Sequence, residues 1–162
     1  MIDPLSIRPA WTDDVEVLTT IRREAILTLA TGKMGRSDAR DWANSAGPNR
    51  VRRAIEVHQV WVAEIAAQPV GWVEFNGNRI EGLYVRPARA QQGVGSRLLA
   101  HAEAQIWSAG YRTVMLDASW NAEQFYINRD YQPLSERSPE RGRPMVKPLA
   151  PGTVETTWYT EA

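Results

Sequence analysis

The chain contains no cysteine, which excludes disulfides, thiolate zinc sites and a thiol nucleophile together. Histidine is almost as scarce. Only His58 and His101 occur, far apart in sequence, so no metal site is assigned. Lysine is reduced to Lys33 and Lys147, and the positive charge rests on arginine, a residue suited to local anion clamps. No stretch approaches the ~20 apolar residues that cross a bilayer. Met1-Ile2-Asp3-Pro4 is not a basic region leading into an apolar run, so no secretory signal is read there. Acidic and basic residues balance at 19 each, leaving no global field to hold nucleic acid or an anionic membrane. A cytoplasmic protein with neither partner is expected.

What is present suits one folded domain: 162 residues, 43% of them hydrophobic. Residues 5–8 alternate as a short strand ending at Pro9. Asp13 and Glu16 predict a capping box for a helix on which Val15, Leu18, Ile21, Arg22, Ala25 and Leu29 recur at helical spacing. Gly32 and Gly35 close it. A second helix is expected from Ser37 or Asp38 through Ala43, then a loop over 44–48. A helical segment follows over 49–57, in which Arg50, Arg52 and Arg53 read as a solvated face. Strands at 60–65 and 70–75 are joined tightly around Ala67-Gln68, and Asn76-Gly77-Asn78 signals a hairpin into a strand at 79–85. Val94, Leu98, Ala102 and Ile106 mark a long helix over 93–109, capped by Gly110, with His101 on its outer face. A strand at 113–116, a helix at 123–129 and strands at 131–134 and 145–149 complete the order, with a charged loop over 136–144. The meander demands antiparallel pairing and the helix crossovers demand parallel pairing, so the sheet is mixed and the domain is α/β. Residues 1–150 form the domain. Residues 151–162 form a tail in which Val154, Thr156 and Trp158 alternate as an edge strand, docking on a second subunit as a homodimer or on its own domain.

The segment 86–99 carries the most chemistry. It leaves a strand and enters a helix through Gln91-Gln92-Gly93-Val94-Gly95-Ser96. The first N–H groups of a helix lack internal acceptors and favour negative charge, and glycine lets a phosphate approach them closely. Arg89 and Arg97 add positive charge. The Walker pattern does not fit, because no Gly-Lys-Ser/Thr follows. The dinucleotide fingerprint does not fit either, because Leu98 stands where its third small residue belongs. A glycine turn with a purely steric purpose is the alternative.

Taken with its neighbours, this segment resembles the GNAT superfamily of N-acetyltransferases. Leu83-Tyr84-Val85-Arg86-Pro87 is similar to the family's central strand and its exit. Residues 91–96 with Arg97-Leu98-Leu99 resemble its pyrophosphate loop and helix, residues 121–131 its late motif, and Met145-Val146-Lys147-Pro148-Leu149 its last strand. Three departures stand out. Ala90 replaces a usual Gln or Arg, and Gln91 and Asp130 stand where glycine is common. The resemblance implies a mixed, mostly antiparallel sheet of about seven strands flanked by helices, with a splayed parallel pair formed by 79–85 and 113–116.

It also implies a function: transfer of an acetyl group from acetyl-CoA, as co-substrate, to a primary amine of a small molecule or peptide. The alternative is a non-catalytic acyl-CoA-binding sensor or structural module. By the same resemblance Leu83, Tyr84 and Val85 hold the pantetheine, and Arg89, Gln91, Gln92, Gly93, Val94, Gly95 and Ser96 hold the pyrophosphate. Asn121 contacts the cofactor or caps its helix. Tyr126 is the general acid, or a packed helix tyrosine. Glu81 is the general base: on an alternating strand it shares a face with Leu83 and Val85, unless it merely faces solvent. Glu74 is the second choice, and His58 reads as a loop residue. Trp61, Trp72 and Trp120 are core by default, while Trp42 falls in the early helices that wall the acceptor in this family.

Overall fold

The computed structural model describes residues 4–29, 36–44 and 47–150. In chain order they form β1 (Leu5–Pro9), α1 (Val15–Leu29), α2 (Arg36–Asn44), α3 (Gly47–Val57), β2 (Gln59–Ile65), β3 (Gln68–Asn76), β4 (Arg79–Val85), α4 (Val94–Ser108), β5 (Thr113–Ala118), α5 (Glu123–Ile127), β6 (Gln132–Pro133) and β7 (Arg143–Pro148). The strands make one open sheet in the order β1-β2-β3-β4-β5-β7-β6. Every pairing is antiparallel except β4 with β5. The expected mixed architecture is therefore the observed one. The proposed closing glycines Gly32 and Gly35 and the tail strand lie outside the described residues.

Each sheet face has its own core. On one face α4 buries Val94, Leu98, Ala102 and Ile106 against Val73, Phe75, Ile80 and Val114; the i, i+4 spacing keeps all four on one helix stripe. On the other, Leu18 and Ile21 of α1 and Val51 of α3 cover Val62, Trp72 and Tyr84. Trp72 is wholly buried and donates its indole N–H to the Leu18 carbonyl at 3.0 Å, so its one polar atom is satisfied where water is absent. Below α4, both oxygens of buried Glu103 are occupied, one by the Tyr131 hydroxyl at 2.7 Å and one by Lys147 Nζ at 3.0 Å.

Local chemistry departs from expectation at several points. The cap before α1 is made by Asp14, not by Asp13 with Glu16: Asp14 Oδ2 accepts the Trp11 N–H at 2.7 Å across a 3-10 turn, Thr12–Asp14. Arg8 from β1 grips the same carboxylate with two bonds of 2.8 and 2.9 Å, an arrangement open to Asp14 but not to its neighbour. The loop expected over 44–48 is shorter, because α3 already starts at Gly47, which supplies φ +45°. The β2–β3 turn centres on Ala66 and Ala67, both at positive φ, one residue earlier than the expected Ala67-Gln68. His101 does not face outward; its ring packs at a tilt against Trp61 with centroids 4.3 Å apart. Trp120 is not core but 53% exposed, with Arg137 over its ring at 4.5 Å. Arg50 leaves the solvated face to reach a buried carboxylate, whereas Arg52 and Arg53 stay exposed.

Candidate active site

β4 and β5 touch at one end only. Their register has a single pair, Arg79 with Met115, supported by the Met115 N–H donating to the Asn78 carbonyl at 2.9 Å. Beyond it β4 stays bonded to β3 as far as Val85, and β5 to β7 as far as Ala118. The two strands therefore diverge, and the β4 edge from Glu81 onward faces a gap. A cleft of about 170 Å³, open to solvent, occupies this fork. Leu83, Tyr84 and Val85 form its sheet wall, Ala25 and Ile26 of α1 with Trp42 of α2 its roof, and Gly95, Ala122, Phe125 and Tyr126 its far side. Gly95 faces Phe125 and Val85: a Cβ there would stand 3.4 Å from Phe125 Cζ and 3.6 Å from Val85 Cγ2, ordinary packing distances.

At the mouth of the fork the chain turns into α4. Gly93 has φ +84°, a conformation that side chains resist, and Gln91 adopts φ +64° despite its side chain. Among the described residues, the N–H groups of Gln91 through Ser96 donate to no other part of the chain; the first amide bond back into the turn is Arg97 to the Gly93 carbonyl at 3.0 Å. A fan of six free donors at a helix N-terminus is a ready anion seat. Arg89 is exposed beside it, its Nη1 3.5 Å from Gln92 Oε1. Arg129, which the sequence reading left out, also reaches this turn: its guanidinium bonds Ser96 Oγ, donates to the Phe125 carbonyl at 2.8 Å and sits over the Phe125 ring at 3.7 Å.

Tyr126 projects into the cleft from α5. Its ring meets Phe125 and Tyr131 edge-on, at 5.1 and 5.5 Å, and its hydroxyl makes no hydrogen bond among the described residues. Burial pushes its pKa up; nearby Tyr84 adds to the rise and Arg129 opposes it. The group is a neutral phenol, a donor throughout the neutral range. Asn121 lies in the exposed turn before α5 and accepts from Ser119 Oγ at 2.9 Å. The N-cap position belongs to Ala122, so the capping role fails for Asn121.

The carboxylates are arranged differently from expectation. Glu74 pairs with Gly82 but Phe75 with Ile80, so Glu81 is the extra residue of a bulge. Alternation breaks there. Ile80, Leu83 and Val85 all pack toward the α4 core, and the face-sharing that recommended Glu81 does not hold. Glu81 is exposed at the closed end of the fork, 3.5 Å from Arg79 Nε, and Arg79 also bonds Asp117 of β5. Glu74, by contrast, is 4% exposed. His58 Nδ1 is 2.6 Å from its Oε2, and Arg50 Nη1 is 3.0 Å from its Oε1.

A splayed parallel pair, a free amide fan at its mouth and a buried tyrosine lie along one cleft. Residues 18–147 match the family model described as "Acetyltransferase (GNAT) domain". The chain belongs to this family and is a GNAT acetyltransferase. It is 30% identical over 136 residues to YafP of Escherichia coli K12, described as an uncharacterized N-acetyltransferase, with 84% of this chain and 87% of that protein covered. A GCN5-related N-acetyltransferase from Rhodopseudomonas palustris superposes with a TM-score of 0.86 at 23% identity, over 92% of this chain and 98% of the other. PaiA N-acetyltransferase from Thermoplasma acidophilum, solved in complex with coenzyme A, gives 0.78 at 18% identity, over 90% and 99%. At these identities the two structures speak to the fold.

Proposed function

We propose that the protein moves the acetyl group of acetyl-CoA to the primary amine of a small molecule or peptide by direct attack. The observation that carries this reading is the alignment of three features along one cleft: unpaired amides at its mouth, an unpaired β4 edge along its wall and the Tyr126 hydroxyl inside it. The diphosphate sits on the N–H groups of Gln91 to Ser96 with Arg89 beside it, and the pantetheine pairs with the main chain of Leu83 and Val85. Tyr84 closes the wall and Asn121 lies along the cofactor's path. A backbone N–H on the free β4 edge receives the oxyanion, an interaction worth about 3 kcal/mol in a dry site.

The amine nitrogen forms a bond to the thioester carbonyl carbon, and the carbon–sulfur bond breaks. Tyr126 gives its proton to the departing thiolate and regains one from the new amide nitrogen. The ammonium form of the acceptor must first lose a proton to a base on the acceptor face. Presenting acetyl-CoA and a panel of primary amines, with thiol release as the signal, tests the proposal. Release with at least one amine is expected. Tight acetyl-CoA binding with no release from any would point instead to an acyl-CoA sensor.

A further inference from the structure

The Glu74–His58 pair offers more chemistry than packing needs. Glu74 is buried: Arg50 of α3 stands at ion-pair distance from Oε1 without forming a hydrogen bond, and His58 meets Oε2. Arg50 alone would balance the charge. His58 stands between α3 and β2, its N–H bonded to the Ala54 carbonyl at 2.9 Å, with the side chain 25% exposed. A carboxylate accepts, so a hydrogen on Nδ1 points at Glu74 and the neutral ring in that tautomer has its lone pair on Nε2. Nε2 has no partner among the described residues. A carboxylate that fixes an imidazole tautomer in this way is a general means of orienting a base.

Glu74 stands one strand back from the cleft wall; neither it nor His58 lines the cleft itself. Glu74 stands opposite Gly82 and Trp72 opposite Tyr84 in the β3–β4 register, and cross-strand partners point to the same face. The Tyr84 ring, which lines the cleft, folds over Gly82: a Cβ on that glycine would stand 2.8 Å from Tyr84 Cε2. Gly82 thus leaves room for the ring and brings the cleft within one residue pair of Glu74. Glu81 has neither burial nor an oriented partner beyond Arg79.

Resting on the acetyl-transfer reading, we infer that His58, oriented by Glu74, takes the proton from the acceptor ammonium. R–NH3⁺ gives one proton to Nε2, directly or by way of solvent, and the freed lone pair attacks. The imidazolium then returns that proton to bulk. The second amine proton replaces the one Tyr126 gave to the thiolate, so the balance is amide, free thiol and one released proton. The charged groups around the ring are Glu74 and Arg50, with Arg79 and Glu81 of β4 on the same face and Arg22 of α1 over Tyr84 at 5.8 Å.

The test compares wild type with His58→Gln, Glu74→Gln and Glu81→Gln, using acetyl-CoA and whichever amine of the panel wild type acetylates fastest. His58→Gln is expected to lower kcat/KM about 100-fold near pH 7, with KM for acetyl-CoA and Tm unchanged. The deficit should shrink as pH rises, since free amine then forms without a base. Glu74→Gln should lie between, and Glu81→Gln within about threefold of wild type. With only two histidines, ¹⁵N spectra of the ring, assigned with a His101 variant, should show hydrogen on Nδ1 of His58. A deficit constant with pH, a His58→Gln enzyme near wild type, or hydrogen on Nε2 overturns the inference. Wild type silent on every amine overturns the transferase reading instead, and the ring spectrum still judges the pair.

Discussion

Arg129 Nε donates to Ser96 Oγ at 3.0 Å, so a residue just past α5 is tied to the first turn of α4. The same guanidinium sits over the Phe125 ring, 3.7 Å from its centroid, and burial lowers its pKa. It braces the two sides of the cleft and places a cation beside the free amides. Arg129→Ala is expected to weaken coenzyme A binding about tenfold, or 1.4 kcal/mol, with a smaller effect on kcat. Arg129→Lys should not restore it, because an ammonium lacks the planar fork. Titration calorimetry measures both; an unchanged affinity removes Arg129 from the site.

Tyr126→Phe keeps the ring and deletes only the donor. Turnover should fall by about 10² while acetyl-CoA affinity stays within twofold. The phenol's pKa is raised by burial, so wild type should show no alkaline loss of activity from this group near neutrality. Steady-state kinetics across pH with direct binding separates the two effects.

Ala67 and Gln91 hold left-handed backbone at φ +62° and +64°. Such a conformation costs a side-chain-bearing residue about 1–2 kcal/mol, partly offset by the extra entropy glycine loses on folding. Ala67→Gly and Gln91→Gly should each stabilise the fold by about 0.5–1 kcal/mol in urea melts. Asp130, at φ +72°, should gain less, because aspartate tolerates this region better.

Arg8 beside Asp14 holds that carboxyl below its ordinary 3.8. A depressed folded-state value means the stabilisation is complete above 3.8 and fades as pH falls through the folded pKa. Asp14→Asn should therefore cost about 2 kcal/mol at pH 7, as expected for charge-assisted bonds at a mostly buried site. The gap from wild type should narrow below about pH 4 in parallel melts. A gap constant with pH would show that the ion pair contributes nothing.

Much of this could be read along the chain. Hydrophobic spacing located the long helix from Val94, and the Asn76-Gly77-Asn78 hairpin joined β3 to β4. Even two departures from the family pattern, Gln91 and Asp130, fall where the backbone has positive φ, so the missing glycines had a physical meaning. Glu81 was misplaced because a bulge is not visible in local alternation: it exists only once β4 is laid against β3. His58 read as a loop residue because nothing near it in sequence says that Glu74, sixteen positions on, will share its proton.

By itself the amino-acid order determined what depends on neighbours a few residues apart: helix stripes, turns, the amide-rich entry to α4 and the order of elements. The tertiary structure alone decided what depends on register and on segments meeting across the sheet. It split β4 from β5 after Arg79, buried Glu74 between Arg50 and His58, and brought Trp42 and Arg129 to the cleft. Local preferences act through short-range sterics and hydrogen bonds, whereas these juxtapositions come from packing two cores on opposite faces of one twisted sheet.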